Sequence, residues 1–274
     1  MPARIGVVVF PGSNCDRDTM YALSLAGAEP VELWHEQASL DAIDGVILPG
    51  GFAYGDYLRA GVIARFSPIV RAVTAFADRG GLVLGICNGF QVLAEAGLVP
   101  GALLRNRGLR FLGRDVHIAA ERVDTPFTTG LVAGRPLRMP IAHGEGCYFA
   151  DDATLDELER DGQVLFRYVG GDGAAVGGDG AAVGGNGAVV GADDGLRHPD
   201  NPNGSLRAIA GVLNSAGNVA GLMPHPERAA EGLLGSDDGA GIIRSFVAAA
   251  AGRASAGMAD RNVASAGVGA VSGR

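Results

Sequence analysis

The feature that most constrains this chain is a set of short apolar runs that contain no polar residue. They are Ile5-Gly6-Val7-Val8-Val9-Phe10, Gly45-Val46-Ile47-Leu48 and Leu82-Val83-Leu84-Gly85-Ile86. A strand that alternates apolar and polar residues keeps one face wet. A strand that is apolar throughout is buried on both faces, as in the middle of a parallel sheet. Each run is followed by a turn and then by a segment suited to a helix. Pro11-Gly12-Ser13-Asn14 leads to a helix over 16–26, closed by Gly27; Pro49-Gly50-Gly51 leads on to a helix over 68–78, stopped at Gly80-Gly81. A further helix starts near Asn88, and Val31-Glu32-Leu33-Trp34 is another short strand. Strands alternating with helices predict an α/β fold, a mostly parallel central sheet flanked by helices. Residues 103–170 break the rhythm. Runs such as 137–141 and 164–168 read as extra, partly antiparallel strands, 206–212 and 219–223 as returning strands, and 241–250 as a last helix.

The 274 residues suffice for one large domain or two small ones. Residues 1–252 read as a single domain. Hydrophobic residues at 47% and charged residues at 19% fit a globular chain. No apolar run reaches the roughly 18 residues of a membrane span. Met1-Pro2-Ala3-Arg4 enters a strand directly, without the pattern of a secretion signal, so a cytoplasmic location is expected. The net charge of −8 argues against a large nucleic-acid surface. Cys15, Cys87 and Cys147 make neither a disulfide framework nor a CxxC pair, so no metal site is expected. The chain has no lysine, which excludes a Walker-type phosphate loop and a lysine Schiff base.

Two stretches stand apart. Gly-Gly-Asp-Gly-Ala-Ala-Val occurs twice after Val169, followed by Gly-Gly-Asn-Gly-Ala-Val-Val. Glycine at this density spoils a helix, and the period of seven differs from the nine of calcium-binding glycine repeats. A flexible surface insertion over about 170–199 is expected. The small, polar stretch 253–274 reads as a disordered tail.

The chemistry centres on Gly85-Ile86-Cys87-Asn88-Gly89, a G-x-C-x-G pattern between a strand and a helix. This is the cysteine form of a nucleophile elbow. The glycines allow a sharp turn, the helix N-terminus favours a thiolate, and the Asn88 N–H can bind an oxyanion. The pattern alone fits a buried cysteine in a tight turn equally well. In Met223-Pro224-His225-Pro226-Glu227, the residue before proline is pushed toward extended geometry, so His225 and Glu227 are expected on one side of an extended chain. That is nucleophile, base and base-orienting carboxylate; alone, it is also an ordinary surface loop. Gly50-Gly51 at a strand end could bring a second N–H to the oxyanion, or be a common glycine turn.

With these motifs together, the chain resembles the class I, triad-type glutamine amidotransferases, which have a flavodoxin-like fold. More narrowly, it resembles the family of glutaminase subunits of phosphoribosylformylglycinamidine synthase. The residues that carry the likeness are Phe10 to Asp16, Trp34-His35-Glu36, Gly50 to Gly61, Gly85 to Gln91, Pro140 to Gly146 and Met223 to Ala229. The resemblance implies that Cys87, His225 and Glu227 are catalytic, that Gln91 and Gly50-Gly51 help hold glutamine with Asn88 beside them, and that the loop containing His143 and Gly144 lies near the substrate. It implies no cofactor in this chain. A large synthetase subunit (PurL-like) would use ATP and Mg, with a small PurS-like subunit. A different amidotransferase, a stand-alone cysteine hydrolase and a non-catalytic regulatory subunit are the rival readings. The Tyr54–Gly61 tract argues against the first, the His-Pro-Glu signature against the second, and the presence of all three triad residues against the third. Cys15 reads as structural, since no base lies beside it in sequence. Cys147 reads as a tolerated substitution, and His35, His117 and His198 as packing or surface residues.

Overall fold

The computed structural model describes residues 1–176 and 198–253. The second and third copies of the glycine repeat, and the tail beyond 253, lie outside the described residues. The first copy folds back on the strand before it, with Gly170 N donating to Ala174 O and Val176 buried.

The elements in order are β1 (Arg4–Val9), α1 (Asp16–Leu25), β2 (Glu29–Trp34), β3 (Gly45–Leu48), α2 (Pro68–Asp78), β4 (Leu82–Ile86), α3 (Asn88–Glu95), β5 (Ala102–Leu104), β6 (Leu112–Ala120), β7 (Leu137–His143), β8 (Cys147–Phe149), α4 (Asp152–Arg160), β9 (Val164–Val169), β10 (Ile209–Leu213) and β11 (Val219–Leu222), followed by a last helix, α5, over 240–253. Nine strands form one sheet in the order β2-β1-β3-β4-β11-β10-β9-β6-β7, and β5 pairs with β8 in a two-stranded ribbon. The first four pairings, from β2 to β11, are parallel; the four from β11 to β7 are antiparallel. The expected parallel sheet with antiparallel additions is therefore the fold observed. The residues of β3, β4 and β11 are buried throughout, as their apolar sequences require.

The sequence reading differs in detail between 103 and 208. Residues 206–208 form a 3₁₀ turn, and the returning strand starts at Ile209. Helix α4 is not marked in the apolar sequence pattern. Its sequence carries only Leu155 and Leu158 as a buried face, three residues apart, which is too short a stripe to stand out. Its start is marked by Asp151, whose side chain accepts from the Thr154 N–H at 2.8 Å.

The strand order reverses around β1, which lies between β2 and β3. Loops at the carboxyl ends of strands in such a sheet form the usual binding crevice. Here these are the loops following β1, β3, β4 and β11.

Candidate active site

Cys87 sits at the turn from β4 into α3 with φ 50° and ψ −106°. A side chain rarely adopts this conformation, and the interlocked backbone around it holds the turn in place. A Cβ on Gly89 would collide with the Leu48 carbonyl, and one on Gly85 would lie 2.8 Å from the Gly89 carbonyl. The Cys87 N–H donates to Leu222 O at 2.8 Å, tying the elbow to the end of the neighbouring strand β11. The Asn88 N–H lies in the first turn of α3, where the helix itself offers no acceptor.

From that same strand end the chain runs through Met223-Pro224 to His225, whose N–H donates to the Pro140 carbonyl at 2.9 Å. Residues Pro226–Ala229 then form a 3₁₀ turn rather than continuing as a strand. The turn, not strand alternation, brings Glu227 back to the ring. His225 Nδ1 and Glu227 Oε1 are 2.5 Å apart, and both residues are buried. Burial alone would push the imidazole pKa down. The Glu227 charge, with the Cys87 and Cys15 sulfurs, outweighs it and holds His225 well above the ordinary value. Among the described residues, Nε2 of His225 has no well-formed hydrogen bond, which is common for a base that tightens onto its nucleophile only with substrate bound.

Cys15 approaches the same imidazole. Its sulfur, a His225 nitrogen and a Glu227 oxygen lie within 4.8 Å of one another. Arg228 Nη2 donates to the Cys15 sulfur at 3.2 Å, and that positive charge opposes a bound cation. Burial pushes the Cys15 thiol up. Gly50 stands behind the ring: a Cβ there would be 2.6 Å from His225 Cε1 and 3.0 Å from the Cys15 sulfur.

On the open side of Cys87 is a cavity of about 150 Å³, lined in part by Gly51, Asp56, Gln91, His143, Gly144 and Glu145. Asn88 turns away from it to build a buried amide network. Its Oδ1 accepts from the Ala53 N–H at 3.0 Å, and its Nδ2 donates to Gln91 Oε1 at 2.9 Å and to Asp56 Oδ1 at 3.2 Å. Gln91 Nε2 donates to the Glu145 carbonyl at 2.5 Å, so both ends of the Gln91 amide are engaged. Asn106 organises the far wall. Its Nδ2 donates to the carbonyls of Arg110 and His143, and its Oδ1 accepts from the Gly146 N–H. With Oδ1 acting as an acceptor, His143 Nδ1, 3.0 Å away, must carry the ring proton. His143 Nε2 is then a buried lone pair without a partner among the described residues. Burial, aided by the nearby His225 charge, pushes this imidazole down to about 3, so it is neutral.

Comparison with known proteins reflects the same architecture. Residues 2–179 and 193–237 match the CobB/CobQ-like glutamine amidotransferase domain, with the gap over 180–192 beginning in the glycine repeat and ending just past it. The chain is 54% identical to phosphoribosylformylglycinamidine synthase subunit PurQ of Rubrobacter xylanophilus, over 90% of this chain and 99% of that one. It is 52% identical to the subunit of the same name from Salinibacter ruber, over 90% and 97%. The chain belongs to the PurQ family. It is thus a glutamine amidotransferase, the glutaminase subunit type of phosphoribosylformylglycinamidine synthase. The PurLQS structure from Thermotoga maritima contains a chain that is 42% identical, with a TM-score of 0.72, covering 90% of this chain and 98% of that one.

Within this PurQ-family site, Asp56, Asn106, Glu145 and the approach of Cys15 to His225 were not singled out from sequence. Asp56 and Glu145 fall inside the quoted tracts, where an acidic residue beside a glycine was the available signal. Asn106 and the Cys15 contact carry no local signal. The remaining cysteine and histidines have local partners. Cys147 donates to the Gly204 carbonyl at 3.0 Å, His35 Nδ1 meets the Tyr54 hydroxyl at 2.7 Å, and His198 lies 3.7 Å from Asp200. His117 packs near Gly171. Among the described residues, no helix is long and apolar enough to cross a membrane.

Proposed function

We propose that Cys87 is the nucleophile, His225 its base and Glu227 the group that orients the base, in the hydrolysis of glutamine to glutamate and ammonia. The observation that carries this reading is the convergence of Cys87 and His225 at the ends of adjacent strands β4 and β11, with Glu227 2.5 Å from His225. Cys87 Sγ gives its proton to His225 and attacks the side-chain amide carbon. The oxyanion receives the Asn88 N–H and a donor from the Gly50-Gly51 loop. His225 then protonates the leaving nitrogen, ammonia departs, and a glutamyl thioester remains. Water, deprotonated by His225, attacks the thioester and releases glutamate, restoring the thiol. Glu227 keeps the Nδ1 proton in place and stabilises the imidazolium throughout. Gln91 shapes the glutamine cavity, with His143 and Gly144 on its far wall.

The ammonia passes to a large synthetase subunit (PurL-like), accompanied by a small PurS-like subunit. That partner uses ATP and Mg to convert formylglycinamide ribonucleotide to formylglycinamidine ribonucleotide, in the cytoplasm. The test is glutamate release from glutamine by the wild type and by Cys87→Ala, with the synthetase subunits, ATP and formylglycinamide ribonucleotide present. The expected result is a dead glutaminase in Cys87→Ala whose complex still makes product from free ammonia. Retained glutaminase activity in that variant overturns the assignment.

A further inference from the structure

We infer that Asp56, seconded by Glu145, is the anionic seat for the α-ammonium group of glutamine. The inference rests on the reading of Cys87 as nucleophile and names how the same cavity selects its substrate.

The charge of the cavity comes first. Among the described residues that line it, the acidic and basic side chains besides the Cys87 thiol are Asp56, Glu145 and His143, and His143 is neutral. The ionised side chains lining the cavity are thus both carboxylates, with the His225 imidazolium outside its lining and Arg105 Nε 3.7 Å from Glu145 Oε1, and Asp56 favours a ligand that brings a positive group. Glutamine has one, its α-ammonium. A cavity of about 150 Å³ is below the ~300–1,000 Å³ of sites for drug-sized ligands, which suits a single amino acid.

The position of Asp56 comes second. The residue is locked to the nucleophile through one buried side chain, because Asn88, next to Cys87, donates to Asp56 Oδ1. The loop that carries Asp56 is held in an unfavourable form: Tyr54, Asp56 and Leu58 have φ of 55°, 51° and 70°. Three side-chain-bearing residues in the left-handed region over five positions persist only where surrounding contacts enforce them. Here the enforcing contacts are the Asn88 bonds at Ala53 and Asp56, and the Ala60 N–H donating to Glu145 Oε2 at 3.1 Å. The other Asp56 oxygen, Oδ2, makes no hydrogen bond among the described residues. Burial, and then the Glu145 charge, raise the Asp56 carboxyl to about 6. A cation between the two carboxylates relieves both costs.

The test uses the full complex and compares glutamine with glutaramate, the same molecule without its α-amino group. For Asp56→Asn, the KM for glutamine should rise about 10- to 100-fold, the usual worth of a hydrogen bond to a charged group, with a far smaller change in kcat. Turnover of glutaramate should change little, so the preference for glutamine collapses. Asp56→Glu, which keeps the charge, should recover part of that preference; this result also guards against a merely misfolded Asn variant. An unchanged KM, or an undiminished preference for glutamine in Asp56→Asn, overturns the inference. Cys87→Ala separates the two readings. If that variant is dead while Asp56→Asn discriminates normally, the nucleophile stands and the ammonium seat falls; if Cys87→Ala still releases glutamate, the nucleophile falls.

Discussion

His225 and Glu227 meet through Nδ1 and Oε1 at 2.5 Å, in a place where neither side chain reaches solvent. A buried imidazolium is costly unless a carboxylate faces it. The pair therefore ties the protonation state of the base to the turn over Pro226–Ala229 that presents Glu227. Removing the charge while keeping the shape should separate chemistry from folding. Glu227→Gln is expected to lower kcat by about 10²–10⁴, the range of a general acid–base contribution, with a smaller change in KM.

The same pair has a pH signature. The folded His225 pKa lies well above 6.5. Its stabilisation is fully present below the unfolded value near 6.5 and is lost as pH rises through the raised folded value. The melting-temperature gap between wild type and Glu227→Gln should thus be widest below pH 6.5 and shrink at alkaline pH. Thermal scans across that range check it, and a gap that widens with pH contradicts it.

Asp56 titrates in the same direction, but through a penalty on its charged form. Its carboxyl is raised from 3.8 to about 6, so the folded state holds a proton that the unfolded state has released. Stability falls as pH climbs from 3.8 through 6 and the penalty is complete above that. A two-unit shift corresponds to ~3 kcal/mol, and solvent screening of a half-exposed group reduces this to about 1 kcal/mol. Asp56→Asn should therefore be more stable than wild type at pH 7.5 by about 1 kcal/mol, and no more stable at pH 3.5. Urea unfolding at the two pH values measures both. The gain in stability alongside a weakened grip on glutamine would be a trade of the kind expected at a binding site.

The elbow is held by backbone contact. A Cβ on Gly89 has nowhere to go but the Leu48 carbonyl. Gly89→Ala should cost about 3 kcal/mol or more, above the ordinary range for overpacking, because the opposing atom belongs to a buried strand. The urea midpoint reads this, and a near-neutral Gly89→Ala would mean that α3 shifts freely against β3.

The three thiols differ in surroundings rather than in simple exposure, since Cys15 and Cys87 are both buried and Cys147 is partly exposed. Cys87 lines the cavity, whereas Cys15 is buried beneath Gly50 and Cys147 is hydrogen-bonded to a carbonyl. Burial raises both Cys15 and Cys147, which suppresses their thiolates. Limiting iodoacetamide at pH 7.5 should modify Cys87 first, and glutamine should protect it; peptide mapping by mass spectrometry decides. Earlier modification of Cys15 would contradict this order.

Much of this was legible in the chain itself. The central strands β1, β3 and β4 read directly as apolar runs, because strands buried on both faces have no room for polar residues. The elbow was legible because its turn needs Gly85 and Gly89 on either side of one residue. Helix α4 was not, since its buried face is two leucines. The route to the His225–Glu227 pair was not legible: proline at 226 begins a 3₁₀ turn rather than prolonging a strand.

Local backbone chemistry thus determined, from sequence alone, which residues stand at sharp turns and strand ends, because those conformations depend on neighbours a few positions away. Tertiary structure alone decided what those turns face. The parallel register of β4 with β11 sets Cys87 beside the start of the His225 segment, and one buried amide, Asn88, sets Asp56 toward the same cavity. The approach of Cys15 to His225 depends likewise on the packing of three loops. Such contacts join segments far apart in the chain, and their geometry comes from sheet order and close packing, which no short stretch of residues encodes.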